Sequence, residues 1–112
     1  MSASDKSFTE GTTLTYNTPE SGESINVNIS DSGLFLINIM FRGNDNEHMS
    51  TYIFNQSSVY AKKINVIQTY NYNNNTSAIV AVNPQGSHGF YVEPVFTSAY
   101  SLKIQYRKLM SR

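Results

Sequence analysis

The most apolar run of the chain is the stretch Gly33–Phe41. Branched and aromatic residues dominate it and turn-forming residues stand on both sides, so the pattern predicts a central β-strand rather than a helix. Alternate side chains of a strand point to opposite faces, and here both faces are apolar. One face carries Phe35, Ile37, Ile39 and Phe41, and the other carries Leu34, Leu36, Asn38 and Met40.

The second apolar face of this strand needs a cover. An antiparallel strand with one solvated face would alternate apolar and polar residues along its length. A second copy of the chain, contacting Leu34, Leu36 and Met40, would supply the cover. A loop or the N-terminal segment of the same chain would supply it equally well. The sequence leaves both alternatives open.

Seven further segments have the pattern of strands, and turn-forming residues separate them. In the clearest, Ser24–Ser30, alternate residues are apolar. The others are Thr12–Tyr16, Met49–Phe54, Val59–Tyr70, Ala78–Val82, Phe90–Phe96 and Tyr100–Leu109. We therefore predict an all-β fold, an antiparallel β-sandwich of about eight strands and most simply of the jelly-roll type. A seven-stranded immunoglobulin-like sandwich is the alternative.

Local chemistry predicts finer features of these strands. The short Asp31–Gly33 connection predicts that the strands on either side of it pair as a hairpin. The alternation slips within Val59–Tyr70, which predicts a β-bulge near Asn65. The fully apolar Ala78–Val82 segment indicates a central strand. Pro94 lacks a backbone donor, so its strand belongs at an edge or at a bulge.

Composition narrows the range of functions. The 112 residues contain no cysteine, charged residues make up only 14%, and the formal net charge is zero. The sequence therefore excludes a thiolate nucleophile and a zinc–thiolate site, and it disfavours nucleic-acid binding, which selects a basic surface. The length is typical of one domain, which we place at residues 11–112 behind a mobile arm of residues 1–10. The arm has no apolar core, so we do not expect a signal peptide.

Two segments contain residues suited to binding. The Tyr70–Thr76 loop combines aromatic rings with amides, which suit sugars and protein surfaces alike. A disordered polar loop is the alternative for this segment. The candidate receptor- or glycan-binding residues are Tyr70, Tyr72, Asn73, Asn74 and Asn75 of this loop, together with His88 of another exposed turn.

We expect no metal site, no cofactor and no enzymatic activity. The Asp45–His48 cluster does not match a calcium loop. The nucleophile turn Gly-x-Ser-x-Gly that would accompany a catalytic histidine is missing from the sequence. Acidic residues lie mostly in the N-terminal half and do not form the spaced pair of carboxylates that a glycosidase needs.

The order of the strands resembles that of the small β-sandwich head domains of bacteriophage tail fibres and related receptor-binding proteins. The resemblance covers roughly Thr12 to Met110. It rests on the alternating Ile25–Ile29 strand, the Asp31–Gly33 turn into Leu34–Ile39, the Tyr52–Phe54 strand and the closing Ser101–Leu109 strand. Such heads are similar to the trimeric jelly rolls of the tumour-necrosis-factor and C1q type.

This resemblance implies a non-enzymatic homotrimer on the virion surface, assembled in the host cytoplasm together with other virion proteins. It would attach to a host glycan or protein, without membrane insertion and without a nucleic-acid partner. Two other functions stay open. One is a capsid decoration or baseplate protein that binds only other virion proteins, and the other is a monomeric carbohydrate-binding module.

Overall fold

The computed structural model describes residues 11–17, 23–42, 47–57, 62–72, 79–86, 88–95 and 101–111. The predicted arm, residues 1–10, lies outside the described residues. The described ranges form eight strands: β1 (Thr12–Asn17), β2 (Ile25–Val27), β3 (Gly33–Arg42), β4 (Glu47–Gln56), β5 (Lys63–Tyr72), β6 (Ile79–Pro84), β7 (Phe90–Val95) and β8 (Ser101–Ser111). The described ranges contain no helix long and apolar enough to cross a membrane.

The strands form two antiparallel sheets. The larger sheet has the order β1-β8-β3-β4-β5, and the smaller has the order β2-β7-β6. The predicted antiparallel β-sandwich of about eight strands is therefore confirmed. Its jelly-roll type stays a prediction. The last strands do return beside the first ones, β8 beside β1 and β7 beside β2, but β3, β4 and β5 form a simple meander.

The core lies between the two sheets, and β3 crosses its centre. Phe35, Ile37, Ile39 and Phe41 of β3 are at most 3% exposed, which confirms the predicted inward face of the central strand. Burying one such side chain contributes about 1.5–3 kcal/mol. These residues therefore decide which face of the strand turns inward.

Aromatic contacts join the two sheets. The ring of Phe54 in β4 lies 6.1 Å, centroid to centroid, from that of Phe35 in β3. It lies the same distance from Phe90 in β7, in an edge-to-face arrangement. Phe90 in turn meets Tyr106 of β8 edge-on at 6.1 Å. Aromatic pairs favour such tilted arrangements over direct stacking.

The predicted pairing of the strands before and after Asp31–Gly33 is wrong. β2 pairs with β7, whereas β3 pairs with β4 and β8. The short connection carries the chain from one sheet to the other, and it does not reverse the chain within a sheet. A short polar turn before an apolar run is compatible with either path.

The predicted central position of the Ala78–Val82 segment is also wrong. β6 is the edge of the three-stranded sheet, and its hydrogen-bonded neighbour is β7. Two of the three strands of such a sheet must be edges. A run of apolar residues indicates that both faces of a strand are buried. It does not indicate whether the strand lies in the middle or at the edge of its sheet.

The predicted bulge in β5 is present, close to its expected position. Thr51 pairs with Gln68 and the next residue, Tyr52, pairs with Val66, which leaves Ile67 as the extra residue. The bulge lets the two halves of β5 keep their side chains on the correct faces despite the slip in alternation.

The prediction that Pro94 lies at a sheet edge or a bulge holds only locally. It lies in β7, the middle strand of the smaller sheet. However, β2 pairs with β7 only over Phe90–Val92, so the ladder on that side has ended before Pro94. The missing backbone donor therefore costs no hydrogen bond to β2.

Candidate binding surface

The second face of β3 lies on the outside of the sandwich. Directly opposite residues of antiparallel strands share a face, so the register of the larger sheet defines this surface row by row. We call it the outer face. It runs from a proximal end, at Gly33, to a distal end, at Arg42. Leu34 and Leu36 are half-buried on it, and Met40 is 42% exposed.

A row of polar side chains crosses the middle of the outer face. Gln105 of β8, Asn38 of β3, Thr51 of β4 and Gln68 of β5 stand opposite one another. Gln68 Nε2 donates to Thr51 Oγ1 at 2.9 Å, and Thr51 Oγ1 donates to Asn38 Oδ1 at 2.8 Å. Asn38 Nδ2 donates to Gln105 Oε1 at 3.2 Å. We call these four residues the polar ladder.

The polar ladder uses only part of its hydrogen-bonding capacity. A carboxamide group carries two N–H donors and an oxygen that accepts twice. The ladder bonds employ one donor of Gln68 and one acceptor site of Gln105, so the Gln68 oxygen and the Gln105 nitrogen are outside the ladder. Because all its bonds run in one direction, each bond polarises the next. The ladder therefore presents oriented donors and acceptors to whatever lies over it.

A groove of about 460 Å³ opens beside the polar ladder, on its distal side. Its walls include the four ladder residues together with Met40, Met49 and Lys103. Ligand sites typically have volumes of about 300–1,000 Å³ and combine apolar walls with a few placed polar groups. The groove has both properties, so we take it as the centre of the candidate binding surface.

The charged side chains of the described residues are unevenly distributed over the surface of the sandwich. Four cations occupy rows of the outer face, namely Arg42, Lys63, Lys103 and Arg107. Among the described residues of this face, the acidic one is Glu47, which stands opposite Arg42. Asp31 lies at the proximal end and forms an ion pair with Lys108 at 3.2 Å. The outer face is therefore positive, although the chain as a whole is neutral.

The predicted loop does not begin at Tyr70, because β5 stays paired with β4 up to Tyr72, so Tyr70 and Tyr72 belong to the distal end of that strand. Tyr70 stands opposite Met49, a groove residue, and is 45% exposed. Tyr72 stands opposite Glu47 in the last row. Asn73, Asn74 and Asn75 lie outside the described residues. The structure thus brings Tyr70 beside the groove.

His88 lies at the other end of the sandwich. Its neighbour Gly89 donates its backbone N–H to Gln56 Oε1 at 2.6 Å. Gln56 and Glu47 end the same strand, β4, and a ten-residue strand is roughly 30 Å long. One chain therefore does not bring His88 together with Tyr70 and Tyr72.

Two glutamines tie down the proximal end around His88. Besides accepting from Gly89, the buried Gln56 donates through Nε2 to the carbonyl oxygens of Ile29 at 2.6 Å and Asp31 at 2.8 Å. Gln85 Nε2 donates to the His88 carbonyl oxygen at 2.9 Å. These bonds fix the β2–β3 loop, which connects the two sheets, and the β6–β7 turn of the smaller sheet, which gives this end a structural role.

The Asp45–His48 cluster does not form one loop. Glu47 and His48 already belong to β4 and point to opposite faces. His48 is 4% exposed, with Nε2 3.0 Å from Ser50 Oγ, whereas Asp45 lies outside the described residues. The part of the chain that the structure describes contains no group of three or more residues that could hold a metal ion.

Sequence reasoning missed the polar ladder. One signal was available, since Asn38 interrupts the apolar residues on the second face of β3. Its partners come from three other strands, and only the register of the sheet shows that they share a row. The distant residues Gln68 and Gln105 have no sequence pattern that links them to Asn38.

The fold has a counterpart among solved structures. The crystal structure of the Acinetobacter phage vB_ApiP_P1 tailspike protein matches with a TM-score of 0.57 and 14% sequence identity. The match covers 89% of this chain and 22% of that chain, so this chain spans about a fifth of that tailspike. No protein-family model and no curated protein matches the sequence. The chain therefore shares its all-β fold with one part of a phage tail protein.

Proposed function

We propose that this chain is a non-enzymatic module of a bacteriophage virion that attaches the particle to the surface of its host. The observation that carries this proposal is the fold shared with a phage tailspike protein over 89% of the chain. Fold alone does not determine function, so the surface of the sandwich must also suit attachment.

The positions of the two ends of the described chain support an attachment role. β8 ends opposite Gly33, at the proximal end, and β1 begins opposite Tyr106 in the proximal half of the sheet. Tyr70, Tyr72 and the groove lie toward the distal end. A module joined to a particle through either end of its chain would therefore present the distal end outward.

The proposal includes association of three copies. Leu34 and Leu36, with Ile53 opposite Leu36, form an apolar area in the proximal half of the outer face. A second copy packing there would cover it. Met40, the third predicted contact residue, lies on the other side of the polar ladder and lines the groove. The subunit contact therefore uses Leu34 and Leu36 in particular.

The mass of the purified protein in solution tests this association. Light scattering behind a sizing column should give three times the 12.6 kDa mass of one chain. A Leu34→Lys, Leu36→Lys variant should give the single-chain mass. Arg42→Lys, at the far end of the same strand, is the control and should keep the trimer mass. A wild-type protein that runs as a monomer at high concentration would contradict the trimer.

Saturable binding of the labelled protein to intact bacterial cells tests the attachment function. We expect the labelled protein to bind to the cells of a host strain, and unlabelled protein should displace it. Binding to purified virions with no binding to any host cell would contradict attachment and support the structural-protein alternative. Release of new reducing ends from host polysaccharide would contradict the non-enzymatic part of the proposal.

A further inference from the structure

The groove on the outer face has the volume and the mixed lining of a ligand site. We propose that this groove binds a stretch of acidic polysaccharide, with the polar ladder bonding to sugar hydroxyl groups and Lys103 pairing with a carboxylate of the chain. This inference rests on the proposed attachment function and names the class of its ligand.

The polar ladder favours a carbohydrate. A sugar ring presents several hydroxyl groups, each both a donor and an acceptor, and the ladder offers the same mixture in Gln68, Asn38 and Gln105. The ladder bonds hold these side chains in place before a ligand arrives, which reduces the ordering cost of binding. The ladder crosses three inter-strand spacings, about 14 Å, so it can contact more than one sugar ring.

The apolar walls also fit a sugar chain. Met40 and Met49 border the ladder on its distal side, and Tyr70 stands beside Met49 with 45% of its surface exposed. The C–H face of a sugar ring packs against such side chains, and the Tyr70 hydroxyl group adds a donor and an acceptor. A polar row and a mainly apolar row therefore lie side by side at the groove, where they can contact the hydroxyl groups and the C–H face of a sugar ring.

The charges favour an acidic chain over a neutral one. Lys103 and Arg107 lie on either side of Gln105 on β8, on the same face and about 14 Å apart. Lys103 lines the groove. Arg42 has the carboxylate of Glu47 opposite it, whereas the residues opposite Lys103 are Met40 on β3 and Thr15 on β1. The groove thus offers a positive charge without an acidic residue opposite it in the sheet.

Binding in the groove is compatible with the proposed trimer. Leu34 and Leu36 lie four and two residues before Asn38, respectively, on the same face of β3 and on the proximal side of the ladder. The groove residues lie on the distal side. Three copies that meet through the leucines would therefore place three grooves near the distal end, where weak sites gain avidity from a repeating ligand.

Nuclear magnetic resonance on the full ¹⁵N-labelled chain tests the groove directly. Alginate oligomers carry one carboxylate per sugar. As they are added, the side-chain amide signals of Asn38, Gln68 and Gln105 should shift until the change in chemical shift saturates. The affinity should fall as salt rises, because a charge pair at a partly exposed site is screened. Dextran of the same length, a neutral glycan, should bind at least about tenfold more weakly, the effect of one charge-assisted hydrogen bond.

Matched variants locate the site. Lys103→Gln should weaken alginate binding by about tenfold and reduce its salt dependence. Gln105→Leu should weaken it by a similar factor, with the salt dependence kept. Lys63→Gln removes the same charge from the proximal row of the same face, and it should change the affinity less than about twofold. Circular dichroism spectra identical to that of the wild type would show that each variant is folded.

Several results would overturn the proposal. One is the absence of any shift of the three amide signals with alginate at millimolar concentration. Equal binding of dextran would contradict the acidic class, and equal binding of polyglutamate would show a response to charge alone. If the Lys103→Gln, Gln105→Leu double variant still attached to cells, that result would contradict ligand binding in the groove. It would not contradict the proposed attachment function. Alginate binding without any cell binding would instead contradict the proposed function.

Discussion

At the scale of single residues, burial decides what a glutamine does in this sandwich. Gln56 is 2% exposed, and its carboxamide bonds to the backbone of two separate loops. Gln68 is exposed and bonds to the Thr51 side chain on the outer face. Removing Gln56 leaves buried backbone groups without their partners, whereas the partner of Gln68 can turn to water.

Gln56→Leu should therefore destabilise the fold by about 2–4 kcal/mol, because two or more buried polar groups lose their bonds. Gln68→Leu is the matched control and should change the free energy of unfolding by less than about 0.5 kcal/mol. Urea unfolding followed by tyrosine fluorescence measures both. A Gln56→Leu protein as stable as the control would show that water replaces the carboxamide.

The two glycines of the β6–β7 turn give a second contrast. Gly89 has φ = +103°, and a Cβ there would collide with the carbonyl oxygen of Val27. Gly86 has open space around it. Gly89→Ala should cost more than about 2 kcal/mol, because backbone strain and the clash add, whereas Gly86→Ala should be nearly neutral. Thermal melting of the two proteins compares them, and equal melting temperatures would refute the assigned strain.

At the scale of elements, β3 shows how two faces of one strand divide their tasks. Its inward residues are packed into the core, and its outward residues form half-buried and exposed rows. The period of two is therefore visible both in the sequence and in the burial. Substitutions on the inward and outward faces of β3 should therefore have unequal effects on stability.

Ile37→Ala should destabilise the fold by about 2–5 kcal/mol, since it opens a cavity at a fully buried position. Met40→Ala, on the other face of the same strand, should cost less than about 1 kcal/mol. Guanidinium unfolding measures the difference. A Met40→Ala cost close to that of Ile37→Ala would mean that the outer face is covered in solution.

The sequence predicts the strands and their faces because both follow from local alternation. β3, its inward residues and the bulge in β5 could be predicted in this way. Strand partners could not be predicted, because the Asp31–Gly33 turn has the same local chemistry whether it closes a hairpin or crosses between sheets. The polar ladder and the separation of His88 from Tyr70 depend on register, which the sequence does not encode locally.

At the scale of the whole molecule, the sandwich is polarised in two ways. The ends of the described chain lie toward the proximal end, while the groove lies toward the distal end. Charge is also divided, with four cations on the outer face of a chain whose net charge is zero. Composition alone hides this second asymmetry.

A carrier protein fused after residue 112 should leave cell binding unchanged, because β8 ends at Ser111, opposite Gly33 at the proximal end. The same carrier inserted between residues 44 and 45 should abolish binding, since β3 ends and β4 begins at the distal end, at Arg42 and Glu47. Cell-binding curves of the two fusions, each with the circular dichroism spectrum of the fold, test this. Loss of binding only in the terminal fusion would reverse the proposed orientation.

The position of β8 between β1 and β3 has a consequence for biosynthesis. The five-stranded sheet stays split until the last strand, Ser101–Ser111, has been made and inserted between two strands that precede it by about sixty residues or more. Contacts so distant in sequence slow folding. The nascent chain therefore cannot complete its core before β8 has left the ribosome, and chains that terminate before residue 101 should be degraded or aggregate rather than accumulate as a smaller folded product.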